Sequence, residues 1–476
     1  MNCPILTIDE CREYQNCTLA YGHFSSIHTG HIRYLKYAKS QGNKLVVAVR
    51  SDFLNNFRFN QIERAESLSM LGIVDAIVLM DEKKFELKNL IRLLNPTLLI
   101  LGKEYENNSS EEVIDAIKLQ KQRGGSIKFH AGDIQYANTD LLNITGKDLK
   151  QKRKDQFLLT CKKQNIKLES LLESIKKWES CRLIVIGDTI IDQYAACEAL
   201  GMSAEAPVIV LKELQKKNFV GGAAIVASHI RSLGAKCDFI SIVGNDNTAE
   251  IVKKELSKQD INYTLLEDSS RPTTFKKRYI VDNQKLFRVS RLEDHSISSE
   301  LENKLISKVE ELAPNSNSIV ISDFVYGVIT EKTLEKITLI AKKYNLLLFG
   351  DVQCSSQIGL VTKFKNFSLL CPNEREARLA LQDKDSGLEI IGQKLLSETS
   401  SKYLIMKLGS EGFIAYDRSK SGLLYSYSIP ALSINPVDVA GAGDSVLSVM
   451  AAGLSSNQSL LETSVIACCI AALAVE

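Results

Sequence analysis

The run Asn435-Pro-Val-Asp438-Val-Ala-Gly441-Ala442-Gly443-Asp444-Ser445 leads into the apolar series Val446, Leu447, Val449, Met450, Ala451 and Ala452, and it constrains the fold more than any other stretch. Two glycines flanking a small residue let the backbone turn sharply into a helix, and the unpaired N–H groups of the first turn then point outward together. Such a helix start is an anion pocket. A carboxylate directly beside it is a poor phosphate ligand and a good base, able to take a proton from a hydroxyl attacking a phosphoryl group. The pairing predicts phosphoryl transfer to an alcohol with Asp444 as the base. A plainer reading stands beside it, in which Gly441 to Gly443 is an ordinary strand-to-helix turn and Asp444 an N-terminal acid stabilised by the helix dipole.

At 476 residues the chain exceeds the usual single core, so two or more domains are expected. With 59 basic against 57 acidic side chains, neither nucleic acid nor an anionic membrane is suggested as a partner. No apolar run is long enough to span a bilayer, and the first residues lack a basic region followed by an apolar core. The sequence therefore reads as soluble and cytoplasmic. Eleven cysteines are scattered without a Cys-x-x-Cys pair, and Cys468-Cys469 sits in an apolar helical run, which fits reduced, buried thiols better than disulfides or zinc.

Residues 1–145 alternate strand and helix patterns. Strand-like stretches at Cys17-Thr-Leu-Ala-Tyr-Gly, Lys44-Leu-Val-Val-Ala-Val-Arg, Ala76-Ile-Val-Leu-Met, Thr97-Leu-Leu-Ile-Leu and Ser126-Ile-Lys-Phe imply a parallel sheet covered on both faces. Between the first strand and the first helix stands His28-Thr-Gly-His31. Two imidazoles at a helix start can both face a bound phosphate and offset charge on a nucleotide's α-phosphate as pyrophosphate departs, although surface histidines near a turn are often silent.

The stretch Gly22-His-Phe-Ser-Ser-Ile-His28-Thr-Gly-His31-Ile-Arg-Tyr-Leu resembles the opening motif of the cytidylyltransferase-like nucleotidyltransferases, and more narrowly the adenylyltransferase half of the bifunctional heptose kinase/adenylyltransferases. The resemblance continues through Val47-Ala-Val-Arg-Ser-Asp52, Glu63-Arg64, Val74-Asp75 and Leu101-Gly-Lys-Glu-Tyr105. It implies a Rossmann-like nucleotidyltransferase domain with Gly22 and Thr139 at the nucleotide and His28 and His31 in catalysis. Three departures stand out. Ser25 replaces an acid, the loop Phe53–Asn60 is short, and Ala137-Asn138-Thr139 retains only one of the resemblance's three phosphate-binding hydroxyls.

Residues 146–180 read as a connector: a charge run, Gly146-Lys-Asp-Leu-Lys-Gln-Lys-Arg-Lys-Asp, and an amphipathic helix carrying Trp178, the only tryptophan. A basic run without interleaved aromatics is a solvated linker more readily than a nucleic-acid contact.

From 181 on, several motifs resemble those of the ribokinase-like sugar kinases, with Asp438-Val-Ala-Gly-Ala-Gly-Asp444 as the C-terminal signature. In that pattern Asp192, closing Cys181-Arg-Leu-Ile-Val-Ile-Gly-Asp-Thr-Ile-Ile-Asp192, hydrogen-bonds sugar hydroxyls; the plainer reading, a helix N-terminal acid, suits Asp188 better than Asp192. Met202-Ser-Ala-Glu-Ala-Pro-Val-Ile-Val resembles a stretch of heptose kinases in which a small β-sheet lid begins. Gly221 and Gly222 would bring backbone against the sugar, with Ile225 replacing the family's asparagine. Lys276, Arg278 and Arg288 match basic heptose-kinase positions on a lid hairpin turning at Asp282-Asn283, or are solvated edge protection.

Buried strands ending at Asp323 and Asp351 place acids where open sheets bind ligands. The turns after them carry Tyr326 and Gln353 where the resemblance expects lysines, which implies an acceptor without a phosphate, or one whose phosphate binds elsewhere. Asn373 and Glu376 match a motif associated with magnesium, and capping alone gives the same spacing. Lys407, Gly409 and Gly412 resemble a nucleotide-side loop, Asp438 would help hold a monovalent cation, and an end at Glu476 is about a strand short of the pattern.

The expectation is an α/β protein in three parts: 1–145 nucleotidyltransferase, 146–180 linker and 181–476 ribokinase-like kinase with a lid. ATP and Mg2+ serve as cofactors, a sugar or sugar phosphate and a nucleoside triphosphate as partners, and the kinase lid pairs two copies. The resemblance implies phosphorylation of a heptose, of the D-glycero-D-manno-heptose 7-phosphate type, at C1 and nucleotidyl transfer to the sugar 1-phosphate, toward a nucleotide-activated heptose for surface glycan. A rival keeps the kinase and retires the first domain.

Overall fold

The computed structural model describes residues 3–475 except 25, 26, 28, 43, 53–58, 82–86, 103, 104, 106–110, 131–145, 283, 355, 356, 419–423 and 434–440. His28, Thr139 and Asp438 therefore lie outside the described residues. The backbone divides into two compact units, Met1–Lys147 with Gln382–Lys394, and Asp148–Leu381 with Leu395–Glu476. Among the described residues no helix is long and apolar enough to cross a membrane.

The first unit is built on β1 (Ile5–Leu6), β2 (Thr18–Gly22), β3 (Leu45–Val49), β4 (Ala76–Leu79), β5 (Leu98–Gly102) and β6 (Ser126–His130). All pair in parallel in the order β1-β4-β3-β2-β5-β6. Successive strand residues point to opposite faces, and both faces are covered: Leu19, Val46, Ala48 and Leu99 enter one core, Ala20, Val47, Val49 and Ile100 the other. Strands buried on both sides have to be apolar throughout rather than alternating, which is why their sequences read as continuous runs. The central β2 has β3 on one side and β5 on the other, so the crevice where strand order reverses opens at its C-terminal end, at Gly22.

The second unit holds β7 (Arg182–Gly187), β8 (Thr189–Met202), β9 (Ile209–Gly222), β10 (Lys236–Val243), β11 (Asn262–Glu267), β12 (Thr274–Val281) and β13 (Gln284–Arg291). It continues with β14 (Ser318–Asp323), β15 (Leu347–Val352), β16 (Leu369–Leu370), β17 (Tyr403–Lys407), β18 (Phe413–Asp417) and β19 (Tyr425–Ile429). Nine strands form the main sheet in the order β11-β10-β7-β14-β15-β16-β17-β18-β19, parallel up to β17 and antiparallel beyond it. The other four make a separate sheet, β13-β12-β8-β9, with β12 and β13 pairing as the expected hairpin. The long strands β8 and β9 are buried at the main-sheet end and exposed at the far end, as a lid requires.

Helix Ala442–Ser455 is buried along nearly its whole length, and small residues make that possible. Ser448 Oγ donates to the Val226 carbonyl at 3.2 Å, and a β-carbon on Gly453 would collide with Thr463 of helix Leu460–Val475.

The segment read as a linker is helical, over Gly146–Lys163 and Leu168–Lys176, and from Asp148 it belongs to the second unit. Phe157, Leu171 and Ile175 pack on that unit's core, and Trp178 is fully buried with its indole N–H donating to Gln458 Oε1 at 2.9 Å. Arg153 of the charge run donates to the Ser433 carbonyl at 3.0 Å, so one of its cations is buried rather than solvated.

Candidate active site

Gly441 and Gly443 are glycine for different reasons. Gly441 caps helix Ala442–Ser455 at φ 85°, a left-handed conformation disfavoured for any side chain, and a β-carbon there would meet nothing within 4 Å. Gly443 does not have positive φ, but a β-carbon on it would lie 3.2 Å from Lys407 Nζ. Ala442 is the first helical residue and Asp444 falls in the first turn. The Asp444 side chain is nearly buried, at 7 % exposure. Gln353 Nε2 lies 3.4 Å from its Oδ1. Burial pushes the Asp444 carboxyl up to about 6, against the pull of Lys407, with Asp192 adding to the rise. An acid in that range is ionised at neutral pH and still basic enough to accept a proton.

Lys407, at the end of β17, reaches past β16 to Asp351 near the end of β15, with Nζ 2.7 Å from Oδ2. Gln353 Nε2 also approaches Asp351 Oδ2, at 3.3 Å, so one carboxamide bridges Asp351 and Asp444. Burial pushes the Asp351 carboxyl up, opposed by Lys407 and assisted by Glu376 and Asp444. For Lys407 burial acts downward, but Asp351 and Glu376 outweigh it and hold the ammonium charged. The acids at strand ends were legible in the sequence; the tie between Asp351, Gln353 and Lys407 was not, because it joins the ends of two strands by side chains alone.

Asn373 and Glu376 form a reciprocal cap of helix Glu374–Leu381: Glu376 N–H donates to Asn373 Oδ1 and Asn373 N–H to Glu376 Oε2, both at 2.8 Å. The capping alternative is thus realised, and the same buried carboxylate bears electrostatically on Lys407 and Asp444. Glu376 Oε1 accepts the Cys354 N–H at 3.2 Å. Among the described residues no three acids, histidines or cysteines cluster closely enough to cage a metal. A magnesium ion held mainly by nucleotide phosphates and waters, with Glu376 and Asn373 behind the waters, fits this donor set. Gly409 and Gly412 both adopt positive φ, at 60° and 97°, in the turn between β17 and β18, and a β-carbon on Gly412 would strike the Ile429 carbonyl.

On the lid side, Asp192 of β8 makes an ion pair with Arg278 of β12, whose guanidinium also lies 5.2 Å from the Tyr194 ring centre. Gly221 leaves room for the Asp192 carboxylate, and Gly222, at φ 63°, lets β9 pass close to the Asp188 carbonyl. Lys276, opposite Asp192 in register, is only 3 % exposed, with its ammonium 5.6 Å from the Phe324 ring centre and 5.1 Å from that of Tyr326. Solvated edge protection therefore does not describe Lys276. Arg288 faces Arg278 in register on the exposed β13.

Asp188 does not sit at a helix start as the sequence suggested; it lies between β7 and β8 and holds a neighbouring turn. Its Oδ2 accepts the N–H groups of Phe324 at 2.8 Å and Tyr326 at 3.4 Å, fastening the turn that carries Tyr326. Burial and the nearby Asp323 raise the Asp188 carboxyl to about 7, against those backbone donors. Asp323 itself pairs with Lys363.

In the first unit, His31 lies in helix Thr29–Ser40, its ring 5.1 Å from Phe24, and Gly22 ends β2, its carbonyl accepting the Arg50 N–H at 3.1 Å. The Glu63-Arg64 landmark has a physical basis. Glu63 caps its helix through Asn60. Arg64 is almost completely buried and donates to the carbonyls of His23 and Arg50 and to Asp52 Oδ1 at 2.6 Å. One guanidinium thereby fixes the C-terminal ends of β2 and β3 around the crevice.

A family model described as pfkB family carbohydrate kinase matches residues 181–476, and one described as cytidylyltransferase-like matches residues 19–220. The chain is 33 % identical over 279 residues to the bifunctional protein HldE of Campylobacter jejuni subsp. jejuni serotype O:6, covering 58 % of this chain and 57 % of that one. It is 29 % identical over 289 residues to the protein of the same name from Desulfatibacillum aliphaticivorans, covering 60 % and 58 %. The chain thus spans little more than half the length of these relatives. Phosphofructokinase-2 from Escherichia coli, solved in complex with fructose-6-phosphate, superposes with a TM-score of 0.51 at 17 % identity, over 62 % of this chain and 93 % of that one, a likeness of fold.

Proposed function

Because the chain belongs to the pfkB family of carbohydrate kinases, we propose that its second unit phosphorylates a heptose at C1 with ATP, and that its first unit joins a nucleotide to the resulting sugar 1-phosphate. The observation that carries the kinase half is Asp444: a nearly buried carboxylate in the first turn of a helix opened by a left-handed glycine, with its pKa drawn to about 6. Asp444 accepts the proton of the acceptor hydroxyl. The hydroxyl oxygen bonds to the γ-phosphorus while the bond to the β,γ-bridging oxygen breaks, and ADP leaves with that electron pair. The amides of Gly441, Ala442 and Gly443 receive the charge of the moving phosphoryl group. Glu376 and Asn373 would help hold a magnesium ion, which would supply charge neutralisation for the phosphates. Asp192 and the backbone at Gly221 and Gly222 orient the sugar, with Lys276 and Arg278 beside them.

In the nucleotidyl half, His28 and His31 would stand at the α-phosphate, with Gly22 permitting close approach and Thr139 binding phosphate. Asp438 would help hold a monovalent cation, and Lys407, Gly409 and Gly412 would border the nucleotide of the kinase. The lid carries exposed apolar side chains at Leu200, Ile209, Leu214, Phe287 and Val289, which supports pairing of two lids in a homodimer.

Incubation with ATP, magnesium and heptoses, with and without a 7-phosphate, should yield a sugar 1-phosphate. Pyrophosphate release from ATP, CTP or GTP with that product then tests the first unit, with His28→Ala as control. A second reading, in which the first unit binds nucleotide without turnover, draws support from Ala137 and Asn138 in place of hydroxyl residues. It predicts no pyrophosphate in the second assay.

A further inference from the structure

We infer that Lys407 is a catalytic cation of the phosphoryl transfer, held at the head of helix Ala442–Ser455 by Asp351; the inference rests on the kinase reading above. Three observations converge on it. The Lys407 ammonium lies 3.2 Å from the β-carbon position of Gly443, so it sits against the helical turn whose amides form the anion pocket. A β-carbon at 443 would crowd that ammonium, and the turn geometry alone does not call for glycine there, since only Gly441 of the pair has positive φ.

Second, Lys407 donates to one carboxylate oxygen, Asp351 Oδ2, which leaves two of its three N–H donors without a hydrogen-bond acceptor among the described residues. Those donors, on a side chain 14 % exposed, can reach an anion seated at the helix start. Third, a buried lysine–aspartate pair adds little to stability compared with apolar residues of the same volume, so packing alone gives no reason for it. A cation fixed beside an anion pocket gives one. As the γ-phosphoryl group moves, its equatorial oxygens carry charge that the ammonium and the glycine amides stabilise together, while the acceptor proton goes to Asp444.

Asp351 is a positioning residue in this scheme. It anchors Lys407 directly and receives the Gln353 carboxamide that also reaches Asp444, so the cation and the base are registered to one buried carboxylate.

The test compares the full chain with Lys407→Met and with the double variant Lys407→Met/Asp351→Asn, which removes both charges and so avoids stranding a buried carboxylate. Folding is checked by circular dichroism and melting. Two readouts follow: kcat and KM for ATP with the heptose acceptor, and the affinities for ADP alone and for ADP with aluminium fluoride and magnesium, a mimic of the moving phosphoryl group. The expected result in the folded double variant is a kcat about 10² to 10³ lower with KM for ATP within about threefold. Aluminium fluoride should lose its tightening of ADP binding by a similar factor, read as the ratio of the two ADP affinities so that any change in binding of ADP itself cancels. A folded double variant with kcat within about threefold of the parent and undiminished aluminium fluoride tightening would overturn the role. Absence of turnover on every heptose by the parent chain counts against the acceptor assignment alone, and the fluoride arm, which needs no sugar, still decides Lys407.

Discussion

The Lys407 ammonium lies 3.2 Å from the point where a β-carbon on Gly443 would stand, tighter than an ordinary contact. Gly443→Ala is therefore expected to push the lysine away from the helix start while leaving the turn intact, since residue 443 has an ordinary helical φ. Kinase kcat should drop about tenfold or more, with a melting temperature within a few degrees of the parent. Gly441→Ala should behave differently, because it forces a side chain into φ 85° and costs about 1 to 3 kcal/mol of stability. Steady-state kinetics and thermal melts of the two variants separate the two demands on glycine.

The Asp444 carboxyl, raised from an ordinary 3.8 to about 6, sets opposite trends for activity and stability. Activity needs the ionised base, so kcat/KM should fall as pH drops through about 6. For stability, the folded state binds the Asp444 proton more tightly than the unfolded state. This group's contribution therefore improves as pH falls from about 6 toward 3.8 and is a net cost above 6. A pH–rate profile without an acid limb between pH 5 and 7 would refute the assignment of this base.

Asp444→Asn removes that cost together with the base. Sugar phosphorylation should decline by about 10² to 10⁴, and the variant should be more stable at pH 8 by about 1 to 3 kcal/mol. The two effects are measured by ADP release and by urea unfolding. Full activity in the Asp444→Asn variant would be incompatible with the proton transfer described.

Trp178→Ala should destabilise the second unit by about 3 to 5 kcal/mol, since it empties a fully buried site and orphans the Gln458 carboxamide oxygen. Urea unfolding followed by circular dichroism measures the loss. A shift below about 1 kcal/mol would mean that the segment before β7 is the tether its composition suggests.

Much of this was legible beforehand, and the remainder has definite causes. Strands such as Leu45–Val49 announce themselves because a sheet covered on both faces admits no polar residue, and the helix at Gly441 because left-handed caps are written in glycine. The connector reads as a tether because charge dominates its composition. Phe157, Leu171, Ile175 and Trp178, spaced across two helices and a short turn, decide its packing instead. Lys276 resembles an exposed strand cation in the sequence since its aromatic neighbours, Phe324 and Tyr326, come from a turn about fifty residues away. The bridge from Lys407 through Asp351 and Gln353 to Asp444 leaves no periodic trace, because its members lie on separate strands and turns that only the sheet order brings together.

The helices that follow Asp148 bear on how the halves can be separated in the laboratory. A clone starting at Cys181, where the family match begins, would strip a tryptophan plug from the kinase core and leave greasy surface exposed. Starting near Asp148 keeps the plug, while Gln382–Lys394, which groups with the first unit, would be left without that unit.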